Sequence, residues 1–294
     1  MGATEVNNKE IQVLACIDGA ALTESVCDYA AWISQKTGTP LTLLHTINHH
    51  HETAVTSSLS GNIGLGSQEH LLEEITNLEQ QQSKLKKQQG KLILKAAEDH
   101  LLSKGISGST CSQRHGDLIE AVIDLEGSIR VLVLGLRGQV HDKQENQIGS
   151  KLEAVIRSLH RAILIVNDKY KEPENIMIAY DGSKAADKAV DMVASSPLYK
   201  HLTCHLVCVN KNDDTAAQLL EQATKKLELA DDIKVISAKL KGKADHELCA
   251  YQEQHKIDLT VMGAFSHTRL HDMLLGSFTH KMLVNTKIPL LLLR

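Results

Sequence analysis

The chain repeats itself, and that repeat leaves few folds open. "IQVLACIDGA" (11–20) and "IMIAYDGS" (176–183) each set a short apolar run in front of Asp-Gly. Helical spacing of apolar residues follows both: Leu22, Val26, Tyr29, Ala30 and Ile33 after Asp18, and Ala186, Val190 and Val193 after Asp181. The later segments continue in the same order. "LTLLHTI" answers to "TCHLVCV", the amphipathic "QQGKLILKAAEDHLLSKGI" to "AAQLLEQATKKLELADDI", "VLVLG" to "LTVMG", and "AILIV" to "PLLLLR". Short, nearly continuous apolar strands alternating with helices predict a parallel sheet covered on both faces. Here they predict it twice, as two tandem doubly wound α/β modules over 1–168 and 169–294.

The two copies differ in length at one place. Asp18 and Asp181 are 163 residues apart but Gly135 and Gly263 only 128, so the first module carries 35 additional residues between those landmarks. They fall at about 49–82, as an extra loop and helix segment after the second strand, whose start is expected to be loop. "NDKYKEPE" (167–174), polar and holding one of the four prolines, is the expected linker.

Composition narrows the functional classes. Hydrophobic residues make up 42% of the chain and charged residues 23%, with a mean hydropathy of −0.17, an ordinary globular profile. "MGATEVNNKE" lacks the apolar core of a signal peptide, and runs such as "IPLLLL" are far shorter than the roughly 18 residues a membrane span needs, so a cytoplasmic protein without membrane contact is expected. The six cysteines contain no C-x-x-C pair, and several lie in strand-like runs, which suits free thiols. Cys204 and Cys208 share a strand face yet stand roughly 13 Å apart at the usual rise, too far to bond. A net charge of −4 with 3% aromatics argues against nucleic acid as a partner.

In doubly wound sheets ligands sit at the carboxyl ends of strands where the order reverses, and Asp18, Asp181, Gly135 and Gly263 all fall there. A glycine after a strand lets backbone approach a ligand, and Gly-Ser at a helix start offers N–H groups to an anion. Module one has Gly135-x-x-Gly138, ten residues, then Gly149-Ser150, with Glu153 three beyond Ser150 in capping-box spacing. Module two has Gly263, then Gly276-Ser277. The competing reading of these signals is a turn followed by a helix cap.

The phrases "AYDGS" with "MGAFSHTRL…LLGS", and "VLGLRG…IGSKLEAVIRSLHRAILIV", resemble the universal stress protein family, and the whole chain resembles its tandem bacterial form. The resemblance implies five parallel strands per module in the order 3-2-1-4-5, flanked by helices, with the modules packed as a pseudo-dimer through their last strands. It implies ATP, with or without Mg²⁺, between the first-strand aspartate and the glycine loop, and members exist that bind no nucleotide. In module one that ligand would meet Asp18, backbone near Thr46, Gly135, Arg137, Gly138, Gly149, Ser150 and Lys151. In module two it would meet Asp181, backbone near Val209, Gly263, Ser266, Gly276 and Ser277. Module one departs from the pattern by one extra loop residue and by Lys151. Module two departs by Ser266 in place of the second glycine, and by Phe265 and Phe278, the latter expected to pack beneath the last helix.

Other signals have bland readings. His45, His49, His50, His51 and Glu52 could ligate zinc, though adjacent histidines point apart and a solvated loop competes. "GNIGLGS" (61–67) matches neither the dinucleotide nor the P-loop template and is expected to be flexible loop. "KLKK" (84–87) is expected to be a solvated helix face. No G-x-S-x-G or H-E-x-x-H motif appears. An adenine-nucleotide-binding regulatory protein with little or no turnover is therefore expected, at most a slow ATPase. A nucleotide-free scaffold acting through partner proteins, or a sensor using the long segment as a lid, are the alternatives, and a homodimer of the whole chain is allowed.

Overall fold

A computed structural model describes residues 10–47, 65–138, 149–230, 232–264 and 276–294. The first module runs β1 (Gln12–Cys16), α1 (Thr23–Thr37), β2 (Leu41–Ile47), α2 (Leu65–Ser103), β3 (Thr110–His115), α3 (Leu118–Leu125), β4 (Ile129–Gly135), α4 (Ser150–Ser158) and β5 (Ala162–Val166). The second repeats it as β6 (Asn175–Ala179), α5 (Lys184–Ser195), β7 (Thr203–Val209), α6 (Asp213–Glu228), β8 (Lys234–Leu240), α7 (Ala244–Gln254), β9 (Leu259–Gly263), α8 (Ser277–Asn285) and β10 (Leu290–Leu293).

All ten strands form one sheet in the order β3-β2-β1-β4-β5-β10-β9-β6-β7-β8. Each half is parallel in the expected 3-2-1-4-5 order, and the halves join where β5 and β10 pair antiparallel, Leu291 opposite Leu164. Every residue of β5 and β10 is buried. An apolar edge of that kind is an aggregation hazard when open, and each module covers the other's. Asn167 fastens the seam, its Nδ2 donating to the carbonyls of Thr286 and Ile288 at 2.9 and 2.8 Å.

Helices cover both faces. One core gathers α1, α2, α5 and α6 over residues such as Val13, Leu43 and Leu206, and the other gathers α3, α4, α7 and α8 over Leu14, Leu132 and Met262. Side chains alternate between the cores along each strand, which is why central strands read as unbroken apolar runs. Across the module boundary, α1 packs against the 3₁₀ turn Pro197–Tyr199.

The long segment corrects one expectation. Leu65, Gly66 and Ser67, assigned to flexible loop from the sequence, belong to the first turn of α2, which then continues for 39 residues. Helix-forming residues from 68 onward carry that turn. Gly90, in the helix interior, allows its close seat: a Cβ there would collide with the side chains of Gln113 on β3 and His45 on β2.

Candidate functional site

Each module turns sharply after its first strand, and both turns use the same chemistry. Gly19 and Gly182 adopt φ of 82° and 75°, the left-handed region that suits glycine. Asp18 and Asp181 each accept, through Oδ1, the backbone N–H two residues on, from Ala20 and Ser183, both at 2.9 Å. The surroundings then diverge. Asp18 is half-buried, whereas Asp181 is exposed. Asp181 does not lie in a dry site: the strand ends at Ala179, Tyr180 takes the last buried position, and the carboxylate beyond it reaches water.

In module one the strand ends enclose a cavity of about 560 Å³. Asp18, Gly135, Arg137, Gly138, Gly149 and Lys151 all line it, so residues scattered over 134 positions of sequence meet at one place. Thr46 of β2 contributes to the wall. Apolar floor comes from Ile17, Val26, Leu44 and Leu134. Gly138 lies directly on Asp18, and Gly135 borders Leu22 at ordinary contact distance, 3.5 Å from where a Cβ would be.

Helix α4 opens at Gly149, whose carbonyl accepts from Glu153 N at 3.1 Å. Gly149, not Ser150, is the N-cap, so the Ser150–Glu153 spacing does not form a capping box, and Ser150 is the first helical residue. The first-turn N–H groups of α4 have no acceptor within their helix and carry its positive dipole end. Arg137 and Lys151 add full charges on the same cavity.

Several residues that line the cavity are not among those the sequence points to as nucleotide contacts. Lys86 and Gln89 reach the cavity from α2, and His45 from β2. Lys86 sits in the "KLKK" run, which is exposed as expected of a solvated helix face, and only the docking of α2 through Gly90 reveals which of its lysines borders the strand ends. Gly90 itself was the available signal, a glycine in the middle of a helical run. His45 Nδ1 lies 2.9 Å from the carbonyl of Ile17, an arrangement in which the ring donates. Among the described residues no three metal-ligating side chains cluster, and His49, His50, His51 and Glu52 lie outside the described residues.

Module two is closer-fitting at the matching points. Its helix α5 is capped by Ser183, whose Oγ accepts from Ala186 N at 3.1 Å, and so starts two residues earlier relative to the aspartate than α1 does. The first turn of α5 therefore presses on Gly263, where a Cβ would stand 2.7 Å from Cβ of Ala185. Leu219 of α6 lies over Gly182 in the same way, at 2.6 Å. Gly276 is the N-cap of α8 and Ser277 its first residue. Phe278 packs against the core beneath α8, as expected, while Phe265 and Ser266 lie outside the described residues. Among the described residues no helix is long and apolar enough to cross a membrane.

Comparison with known proteins agrees with the fold. The Universal stress protein family model matches residues 12–167 and 210–294. A universal stress protein of Synechocystis sp. is 34% identical over 292 residues, spanning 96% of this chain and 99% of the relative. Among solved structures, a universal stress protein from Archaeoglobus fulgidus superposes with a TM-score of 0.70 at 18% identity, covering 96% of this chain and 98% of that one. A Pseudomonas aeruginosa structure described as a putative universal stress protein gives 0.59 at 14% identity over 96% and 92%.

Proposed function

The chain belongs to the universal stress protein family, and we propose that it is a regulatory nucleotide-binding protein whose first module holds an adenine nucleotide of the ATP or AMP type. The observation that carries this reading is the single cavity shared by Asp18, the Gly135–Gly138 turn, Gly149, Arg137 and Lys151. Its volume of about 560 Å³ lies within the usual range for small-molecule sites, and its apolar floor suits a base. The phosphates would lie on the first turn of α4, with Lys151 and Arg137 as counter-charges and Lys86 approaching from α2. Asp18 would take the ribose end, its Oδ1 fixed by Ala20 N.

Little or no turnover is part of this proposal. His45 faces the Ile17 carbonyl and packs against Gly90, and one oxygen of Asp18 is committed to its own turn. A role in a stress response, read out through conformation or a partner rather than through product, is the function that fits such a site.

Native mass spectrometry of freshly purified protein, followed by calorimetric titration with ATP and AMP, tests the proposal. A retained nucleotide mass and saturable binding that weakens in Lys151→Glu are expected. No adduct and no heat with either nucleotide would overturn it and leave the nucleotide-free scaffold as the reading.

A further inference from the structure

We infer that the projecting half of α2 is a dimerisation arm, through which two copies of this chain pair antiparallel as a two-stranded coiled coil. The inference does not rest on the nucleotide reading, although Lys86 and Gln89 also border the module-one cavity. At about 1.5 Å per residue the 39-residue α2 is roughly 58 Å long, whereas its counterpart α6 has 16 residues. Its seat on module one begins late: Gly90, Leu94, Ala97 and Leu101 are buried, and none of residues 74–89 is. Helices draw most of their stability from packing an apolar stripe, so a bare arm of this length calls for something to pack on.

The stripe is present. Leu78, Leu85 and Leu92 stand seven residues apart and are 55, 64 and 71% exposed. Ile75, Gln82, Gln89 and Ala96 fall at the alternate positions, completing a heptad seam in which the leucines occupy d and these residues a. Leu92 lies two positions from Gly90, about 200° round the helix, so the leucine edge of the seam points away from the seat on module one, while Gln89 and Lys86 on its other side also border the cavity.

Charge selects the partner and its direction. Glu73, Glu74 and Glu79 lie in the first half of the arm, and Lys84, Lys86, Lys87, Lys91 and Lys95 in the second. Antiparallel pairing of two identical helices sets each acidic half against a basic one. The register that centres the arms brings Ile75 to Leu92 of the second copy, Leu78 to Gln89 and Gln82 to Leu85, each an a–d layer. The same register sets Glu79 beside Lys86 of the second copy, twice by symmetry, and Glu74 beside Lys95. Lys95 already bridges Glu98 and Asp99 of its own helix, so the Glu79–Lys86 pair carries the orientation. A parallel pair would instead place Glu74 against Glu79 of the other copy, like charge on like. The glutamines at a weaken the seam and fix its register.

Sedimentation velocity of the full chain at micromolar concentration is expected to give twice the 32.3 kDa chain mass. Leu78→Glu with Leu85→Glu, both changes at exposed positions, should give the 32.3 kDa monomer with an unchanged circular dichroism spectrum. Glu79→Lys should weaken association about tenfold or more, and adding Lys86→Glu should restore it, because the swapped charges meet again across the two-fold axis. A monomeric wild type, or a dimer indifferent to the leucine substitutions, overturns the arm. A charge swap that fails to rescue overturns the antiparallel register.

Discussion

Gly138 rests against the carboxylate of Asp18: a Cβ on Gly138 would stand 2.8 Å from Asp18 Oδ2, closer than packed atoms tolerate. The loop after β4 and the turn after β1 are thereby held at a separation only glycine permits, and both line the module-one cavity. Gly138→Ala should push the carboxylate off its bond to Ala20 N. ATP affinity is expected to fall about tenfold, near 1.4 kcal/mol, with little change in the thermal midpoint. Calorimetry beside a melting curve separates the two effects, and unaltered affinity would remove Asp18 from the ligand's surroundings.

The seat of α2 gives a prediction whose sign runs against helix propensity. Alanine is favoured over glycine inside a helix by about 1 kcal/mol. At Gly90, however, the added methyl would meet Gln113 and the ring of His45, and overpacking a close-fitting contact costs about 1–3 kcal/mol. Gly90→Ala is therefore expected to lower the thermal midpoint by a few degrees. A raised midpoint would mean that α2 does not sit this closely on β2 and β3.

Asp258 anchors the linker between the modules. Its Oδ1 accepts from Lys171 Nζ at 2.5 Å and its Oδ2 from the backbone N–H of Glu174 and Asn175, both at 3.0 Å, while the carboxylate itself is buried. The bond to this carboxylate also holds the Lys171 ammonium above its ordinary pKa. Asp258→Ala would leave two N–H groups without an acceptor and is expected to cost about 2–4 kcal/mol in denaturant unfolding. Lys171→Ala should cost under about 1 kcal/mol, because its ammonium faces solvent. Equal losses would contradict the view that the backbone donors dominate.

His205 makes the second module sensitive to acid. Its Nδ1 pairs with the Tyr251 hydroxyl at 2.9 Å, and the His255 ring lies 5.4 Å away. Burial, then the charges of His255 and Lys234, pushes the imidazole below its ordinary pKa. The unfolded chain thus takes up this proton at a higher pH than the folded one. The stability contribution is fully present above the unfolded pKa near 6.5 and is lost as pH falls from there through the folded value. Urea unfolding between pH 7 and 5 should show that decline, and His205→Gln should flatten it while starting from a lower stability. An identical slope in the variant would assign the acid sensitivity elsewhere.

The legible parts of this molecule are those where one residue pattern has one physical solution. "AILIV" and "LTVMG" form strands at the bounds the apolar runs mark, because a strand buried on both faces leaves polar residues nowhere to go. The edge strands were not read from pattern: "TCSQRH" and "KVISAKL" contain no fully buried residue, so their composition resembles loop or exposed helix. The Asp-Gly turns and the glycines after β4 could be placed from local conformational need. Lys86 and Gln89 could not, since their part in the cavity depends on how a long helix lies across two strands, a tertiary fact set by the contact at Gly90.

The two modules should differ as ligand sites. In module one Gly135 has ordinary packing around it, and Arg137, Lys151 and Lys86 converge on the cavity beside the N-terminus of α4. In module two Ala185 presses on Gly263 and Leu219 on Gly182, at 2.7 and 2.6 Å from the positions a Cβ would take, so a ligand must displace packed side chains to reach the same backbone. Asp181 is also exposed to water, where a hydrogen bond to ribose gains little over one to solvent. Charge-assisted contacts to phosphate contribute about 1.5–3 kcal/mol each, roughly one to two decades of affinity, and module one has the cations to make them. Calorimetric titration of ATP into wild type, Gly149→Glu and Gly276→Glu, each verified as folded, resolves the ranking. Gly149→Glu, which sets a carboxylate at the helix start where phosphate would lie, is expected to abolish the tighter event, and Gly276→Glu to leave it intact. Loss of all binding in Gly276→Glu alone would reverse the order and show that loop spacing outweighs charge.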